Sequence, residues 1–161
     1  MAGETTGDGR PVLLLALGPR LPERVVEYAD QLADQRRDVV LVVVDDQRRP
    51  GPGVDSRVRV RPLLPSGRGG PLASLERALG GPPDGGRRSP LHRVAALGYG
   101  QFRAWLLARY ALRTLPWHEF GPPAAIVAGD LDSVTLGARL ARRHPAVIAT
   151  TALDPELLTG R

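Results

Sequence analysis

Unbroken apolar runs and helix-spaced apolar positions alternate along this chain. Val12–Leu17, Val39–Val44 and Ala124–Ala128 are short and uninterrupted, as strands of a parallel sheet covered on both faces should be. A further run, Ala146–Thr151, follows His144-Pro145 and reads as another strand. After the first run, Val25, Val26, Ala29, Leu32 and Ala33 recur at helical spacing, while Glu27, Asp30, Asp34 and Arg36 fall on the other side. That spacing predicts a helix over 23–35, with Pro22 near its first position. Val134, Leu136, Leu140 and Ala141 predict a second helix, with Arg139, Arg142 and Arg143 in its last turns, where cations suit the helix dipole. Over 58–63, Val58, Val60 and Pro62 alternate with Arg57, Arg59 and Arg61. The alternation and the proline place this strand at a sheet edge.

The segment Leu91–Leu115 is also helical in pattern, but its apolar residues nearly encircle it, and Gly98-Tyr99-Gly100 suggests a bend. Burial across the sheet is the expectation, with Trp105 and Trp117 as core anchors. Residues 1–10 read as a disordered polar tail, and Leu153–Arg161 as a short segment that frays into a C-terminal tail at 155–161. Residues 65–90, rich in Gly, Pro and Arg, read as a mobile surface excursion with a short helical piece at 72–79. What remains, 11–154, is one α/β domain: a Rossmann-like, doubly wound, mainly parallel sheet of about five strands with helices on both faces.

Composition narrows the function classes. At 161 residues the chain can bury a sizeable core, and no apolar stretch is long enough to span a bilayer. The first ten residues lack the basic-then-apolar order of a signal peptide, and there is no cysteine. Cytoplasm is the expected compartment. The net charge is +5 and every one of the 22 basic residues is Arg, a bias that fits G+C-rich coding. Acids are interspersed among the arginines and no aromatic platform accompanies them, which argues against nucleic-acid binding. Arg103, Arg109 and Arg113 on the long apolar helix leave peripheral contact at the inner membrane face open.

Familiar motifs mostly fail on inspection. Leu17-Gly18-Pro19-Arg20-Leu21-Pro22 occupies the place of a dinucleotide fingerprint, but it has one of the glycines and puts prolines where N–H groups should meet a pyrophosphate. No cofactor is expected. Asp45-Asp46 ends a strand as in a phosphoryl-accepting receiver, yet that chemistry needs a lysine, and the chain has none. A metal held there lacks a third ligand, and His92, His118 and His144 are not spaced as ligands. His118-Glu119 sits in a Pro-bounded aromatic turn, where packing and capping outweigh acid–base work. The strongest candidate is Gly129-Asp130-Leu131-Asp132-Ser133, between a strand and a helix. Asp130, Asp132 and Ser133 are good N-cap types, and a carboxylate left uncapped there could accept a hydrogen bond from a sugar hydroxyl or deprotonate it.

Two stretches carry a family resemblance. Residues 20–43 resemble the opening of GT-B glycosyltransferases of the large retaining, family-four type, in which the first strand's loop leads into an Arg-containing helix and a second strand. Residues 125–143, Ala-Ile-Val-Ala-Gly-Asp-Leu-Asp-Ser-Val-Thr-Leu-Gly-Ala-Arg-Leu-Ala-Arg-Arg, are the closer match. The resemblance covers about 11–154 and implies an acceptor-side, Rossmann-like domain acting on a nucleotide sugar and a sugar-bearing acceptor. Carried over by position, it implies Asp130 as the catalytic carboxylate, with Gly18, Arg20, Arg24, Gly129, Asp132 and Ser133 around the acceptor cleft. The family's His-Asp stands here as Gly129-Asp130, and its Asp-x-His-Glu as Thr150-Thr151-Ala152-Leu153-Asp154. The match stops where a donor-binding domain would begin, which implies a split enzyme completed by a donor-domain partner or a further copy. The competing expectation is a non-catalytic binding or scaffold module of the same descent.

Overall fold

The computed structural model describes residues 9–45, 54–64 and 90–158, with side chains assigned for all of these except Asp45 and 90–100. Of the excursion expected at 65–90, all but Pro90, and with it the helical piece expected at 72–79, lies outside the described residues. Along the chain run β1 (Val12–Ala16), α1 (Glu23–Asp34), β2 (Val39–Asp45), β3 (Arg59–Leu64), α2 (Pro90–Thr114) and α3 (Trp117–Phe120). There follow β4 (Ala125–Ala128), α4 (Leu131–Arg143), β5 (Ile148–Thr150) and a 3-10 turn at Pro155–Leu158. The five strands form one all-parallel sheet in the order β3-β2-β1-β4-β5. The α/β, Rossmann-like architecture read from the apolar rhythm is the one present.

The unbroken runs are apolar on every residue because both faces of the sheet are covered. Val12, Leu14 and Ala16 of β1 point to one face with Leu41, Val43 and Val127, and α1 closes over them with Val25, Tyr28, Ala29 and Leu32. Leu13 and Leu15 point to the other face with Val40, Val42 and Ile126, under Leu107, Ala108 and Ala111 of α2 and Leu136 and Leu140 of α4. Each fully buried Leu or Val stabilises the fold by about 1.5–3 kcal/mol relative to exposure, so β1, flanked by β2 and β4, is the spine.

The two sheet edges differ. On β3 the arginines point outward as expected: Arg59 pairs with Asp38, and Arg57, just before the strand, pairs with Asp34 and Asp55. β5 is shorter than the run at 146–151 suggests and exposed, with Ile148 49% accessible. Among the described residues no helix covers the outer side of β5, so an apolar run alone did not guarantee burial.

Two expectations about α2 need correction. Trp105 is not a core anchor: it is 40% exposed, stacked on Phe102, with the Arg109 and Arg139 guanidinium groups 5.5 and 6.0 Å from its ring centre. The helix instead buries its small residues, Ala104, Ala108 and Ala111, together with Leu107, because only a narrow face lets the backbone approach the sheet. Arg103 is no outward lipid contact, since it bonds inward to the site described below. Trp117 does anchor, donating its indole N–H to the Ala111 carbonyl and meeting Phe120 edge-on. Residues 155–158 form a 3-10 turn that packs toward α1, with the Leu158 carbonyl accepting from Arg37.

Candidate functional site

The crossover direction of the sheet reverses between β1 and β4, so the loops after these two strands open side by side at the carboxyl rim. Open α/β sheets place ligands in such a crevice. Here Gly18 and the Gly129–Ser133 turn meet, from positions 112 residues apart.

Asp130 ties the two loops together. It is the N-cap of α4, its Oδ1 accepting from the Ser133 backbone N–H at 2.9 Å and the Ser133 hydroxyl at 2.7 Å. Its Oδ2 accepts from the Gly18 N–H at 2.8 Å. Ser133, fully buried, completes a relay: while its hydroxyl donates to Asp130, its Oγ accepts the Leu17 N–H at 2.9 Å. Three donors therefore converge on one carboxylate, and the backbone that runs on past β1 is fastened by side chains rather than by a neighbouring strand.

The flanking residues follow from this crowding. A Cβ on Gly18 would lie 3.1 Å from Asp130 Oδ2, and one on Gly129 would lie 2.6 Å from Val25 Cγ2 and 3.2 Å from the Leu15 carbonyl oxygen. That carbonyl also accepts the Gly129 N–H at 2.8 Å. Glycine at 129 is thus required by close approach of α1 to the end of β4. Asp132 turns to Arg103, with which it forms an ion pair, and Arg103 donates to the Leu17 carbonyl at 2.9 Å. With side chains only 11% and 19% exposed, that pair joins α2 to the start of α4 and to the loop after β1.

Of the residues singled out by resemblance, Gly18, Gly129, Asp130, Asp132 and Ser133 come together in this crest. Arg20 and Arg24 are exposed; the Arg20 backbone passes beside Gly18, but neither side chain bonds to the crest. Arg24 lines a separate open cleft of about 500 Å³ between α1 and the segment after β5, with Glu27, Tyr28, Gln31, Thr151 and Leu153. Tyr28 forms its floor, almost wholly buried, its hydroxyl 3.4 Å from the Asp154 carbonyl oxygen. Burial foremost, and the nearby Asp154 charge, push the Tyr28 phenol above its ordinary range. Arg103 is the crest residue that sequence reading assigned elsewhere. Its position thirteen residues after the start of an apolar helix carries no sign of a partner on α4.

His118 and Glu119 lie in α3, before the amino end of β4 and so away from the crest, and both are exposed. Asp45 is the last residue of β2, while Asp46 lies outside the described residues. Among the described residues no three His, Cys, Asp or Glu side chains cluster as a metal site, and no helix is long and apolar enough to cross a membrane. No family model, curated protein or solved structure matches this chain.

Proposed function

We propose that the chain is the acceptor-side unit of a glycosyltransferase-like assembly, holding a sugar-bearing acceptor at the carboxyl rim of its sheet while a donor-binding partner supplies the nucleotide sugar. The observation that carries this reading is the side-by-side opening of the loops after β1 and β4 at the point where the sheet reverses direction. In the transfer, the acceptor hydroxyl oxygen bonds to the anomeric carbon of the donor as the bond to the diphosphate breaks, and the departing diphosphate oxygen takes up the hydroxyl proton. Asp130 already accepts three hydrogen bonds, so its part is positioning: it holds the rim loops in register against an acceptor. The test is co-purification with a donor-domain protein followed by sugar-nucleotide turnover. Turnover that requires both chains supports the reading, and none with any such partner present counts against it.

A second reading, a non-catalytic module of the same descent that binds a ligand or partner, is favoured by one observation. Three of the four lone-pair sites of the Asp130 carboxylate are taken by the fold, Oδ1 by Ser133 twice and Oδ2 by Gly18 once, so most of its accepting capacity serves structure rather than a reacting hydroxyl. Under that reading, partner capture persists while sugar-nucleotide turnover is absent.

A further inference from the structure

We infer that the cleft between α1 and the segment following β5 is a binding site for a neutral, polyhydroxylated ring such as a hexose. Its walls come from segments 120 residues apart in the chain. Arg24, Glu27 and Gln31 share one flank of α1 at helical spacing, and Thr151 and Leu153 face them across the gap. At about 500 Å³ the space is of the size that takes a small molecule.

Helix α1 carries two polar flanks, and they are employed differently. On the β3 side Asp30 accepts the Asp55 N–H at 2.9 Å and Asp34 pairs with Arg57 at 2.7 Å. On the cleft side the side chains of Arg24, Glu27, Gln31 and Thr151 make no hydrogen bond or ion pair with any described residue. Arg24 and Glu27 are three positions apart, yet they are not paired with each other.

The lining selects the ligand. One guanidinium, one carboxylate, one amide and two hydroxyls, of Thr151 and of Tyr28 in the floor, offer donors and acceptors in mixed array, with no net charge among the lining side chains. A phosphate or carboxylate would meet Glu27, and a cation would meet Arg24. A neutral ring with hydroxyls around its edge can satisfy both, with Leu153 against its apolar side. Arg24 is in the first turn of α1 and Thr151 directly follows β5, so the cleft opens on the same rim as the crest. The choice of a sugar among neutral polyols rests on the acceptor-side reading above. The cleft and its mixed lining do not.

The experiment is a two-dimensional amide NMR titration of the full chain, without donor or partner, against glucose, galactose, mannose, N-acetylglucosamine and myo-inositol, with inorganic phosphate as the charged control. At least one of the five is expected to shift the amides of residues 24–31 and 151–153 saturably. Arg24→Ala and Gln31→Ala should each weaken that binding at least fivefold while leaving the rest of the spectrum unchanged. A response to myo-inositol but to none of the sugars would retain the cleft and overturn the hexose. A response to phosphate alone, shifts confined to other residues, or no shift with any of the five would overturn the site. Saturable sugar binding without turnover beside a donor-domain protein would keep the site and remove the transferase reading.

Discussion

The crest and the cleft share one rim of the sheet and are built in opposite ways. In the crest every polar side chain is bonded to the fold: Asp130 to Gly18 and Ser133, Ser133 to Leu17, and Asp132 to Arg103. In the cleft the side chains of Arg24, Glu27, Gln31 and Thr151 are bonded to no described residue. Residues of the same chemical types thus hold the fold together in one place and are free to meet a ligand in the other. The difference teaches that a carboxylate at a strand's end is a candidate for chemistry only after its hydrogen-bond partners have been counted.

Removing the crest carboxylate should give the largest effect. Asp130→Ala loses an N-cap, typically worth about 1 kcal/mol, and leaves the Gly18 N–H without its acceptor, a further ~1–3 kcal/mol. Urea unfolding should register a loss of about 3 kcal/mol, with Asp130→Asn intermediate because its amide oxygen can still accept from Ser133. Next comes Gly129→Ala, whose new methyl meets Val25, buried completely, and should cost ~1–3 kcal/mol by overpacking. Shortening the opposing side chain, in Gly129→Ala with Val25→Ala, should cost less than the two single losses added together.

A smaller effect belongs to the exposed β3 edge. Arg57 hydrogen bonds to the Asp55 carboxylate and holds it down to about 2, below its ordinary 3.8. A carboxyl lowered on folding stabilises the protein above its unfolded pKa, and that contribution disappears as pH falls from about 4 through about 2. Urea midpoints measured across that window should fall less steeply in Arg57→Gln than in the parent chain. The smallest stability changes are expected in the cleft itself, where Arg24→Ala and Gln31→Ala should stay within about 0.5 kcal/mol of the parent while ligand binding weakens. A loss as large as that of Asp130→Ala would erase the distinction between the two regions.

Much of the frame was legible in the residues. The runs of β1, β2 and β4 read as doubly covered parallel strands because every position is apolar, and β3 read as an edge because its arginines alternate and it contains a proline. The burial of Leu136 and Leu140 on α4 followed from helical spacing, whereas Val134 is 38% exposed because it faces the uncovered side toward β5. Trp105 misled for a related reason: a helix apolar all round does not say which side meets the sheet, and the small side chains won. Asp130 was recognisable as a cap type, but its bond to Gly18 joins positions 112 residues apart, a pairing no local pattern encodes. The cleft was half visible, as the polar flank of α1, and lacked its opposite wall until Thr151 was placed in space.

Whether Asp130 is spent on holding the crest together is decided by native-state hydrogen exchange at the Leu17 and Gly18 amides. Both should exchange slowly in the parent chain, with Gly18 losing its protection in Asp130→Ala under conditions where the amides of β1 remain protected. Rapid exchange at Gly18 in the parent chain would mean that the carboxylate is free at the rim, and would return Asp130 to the role of acceptor base.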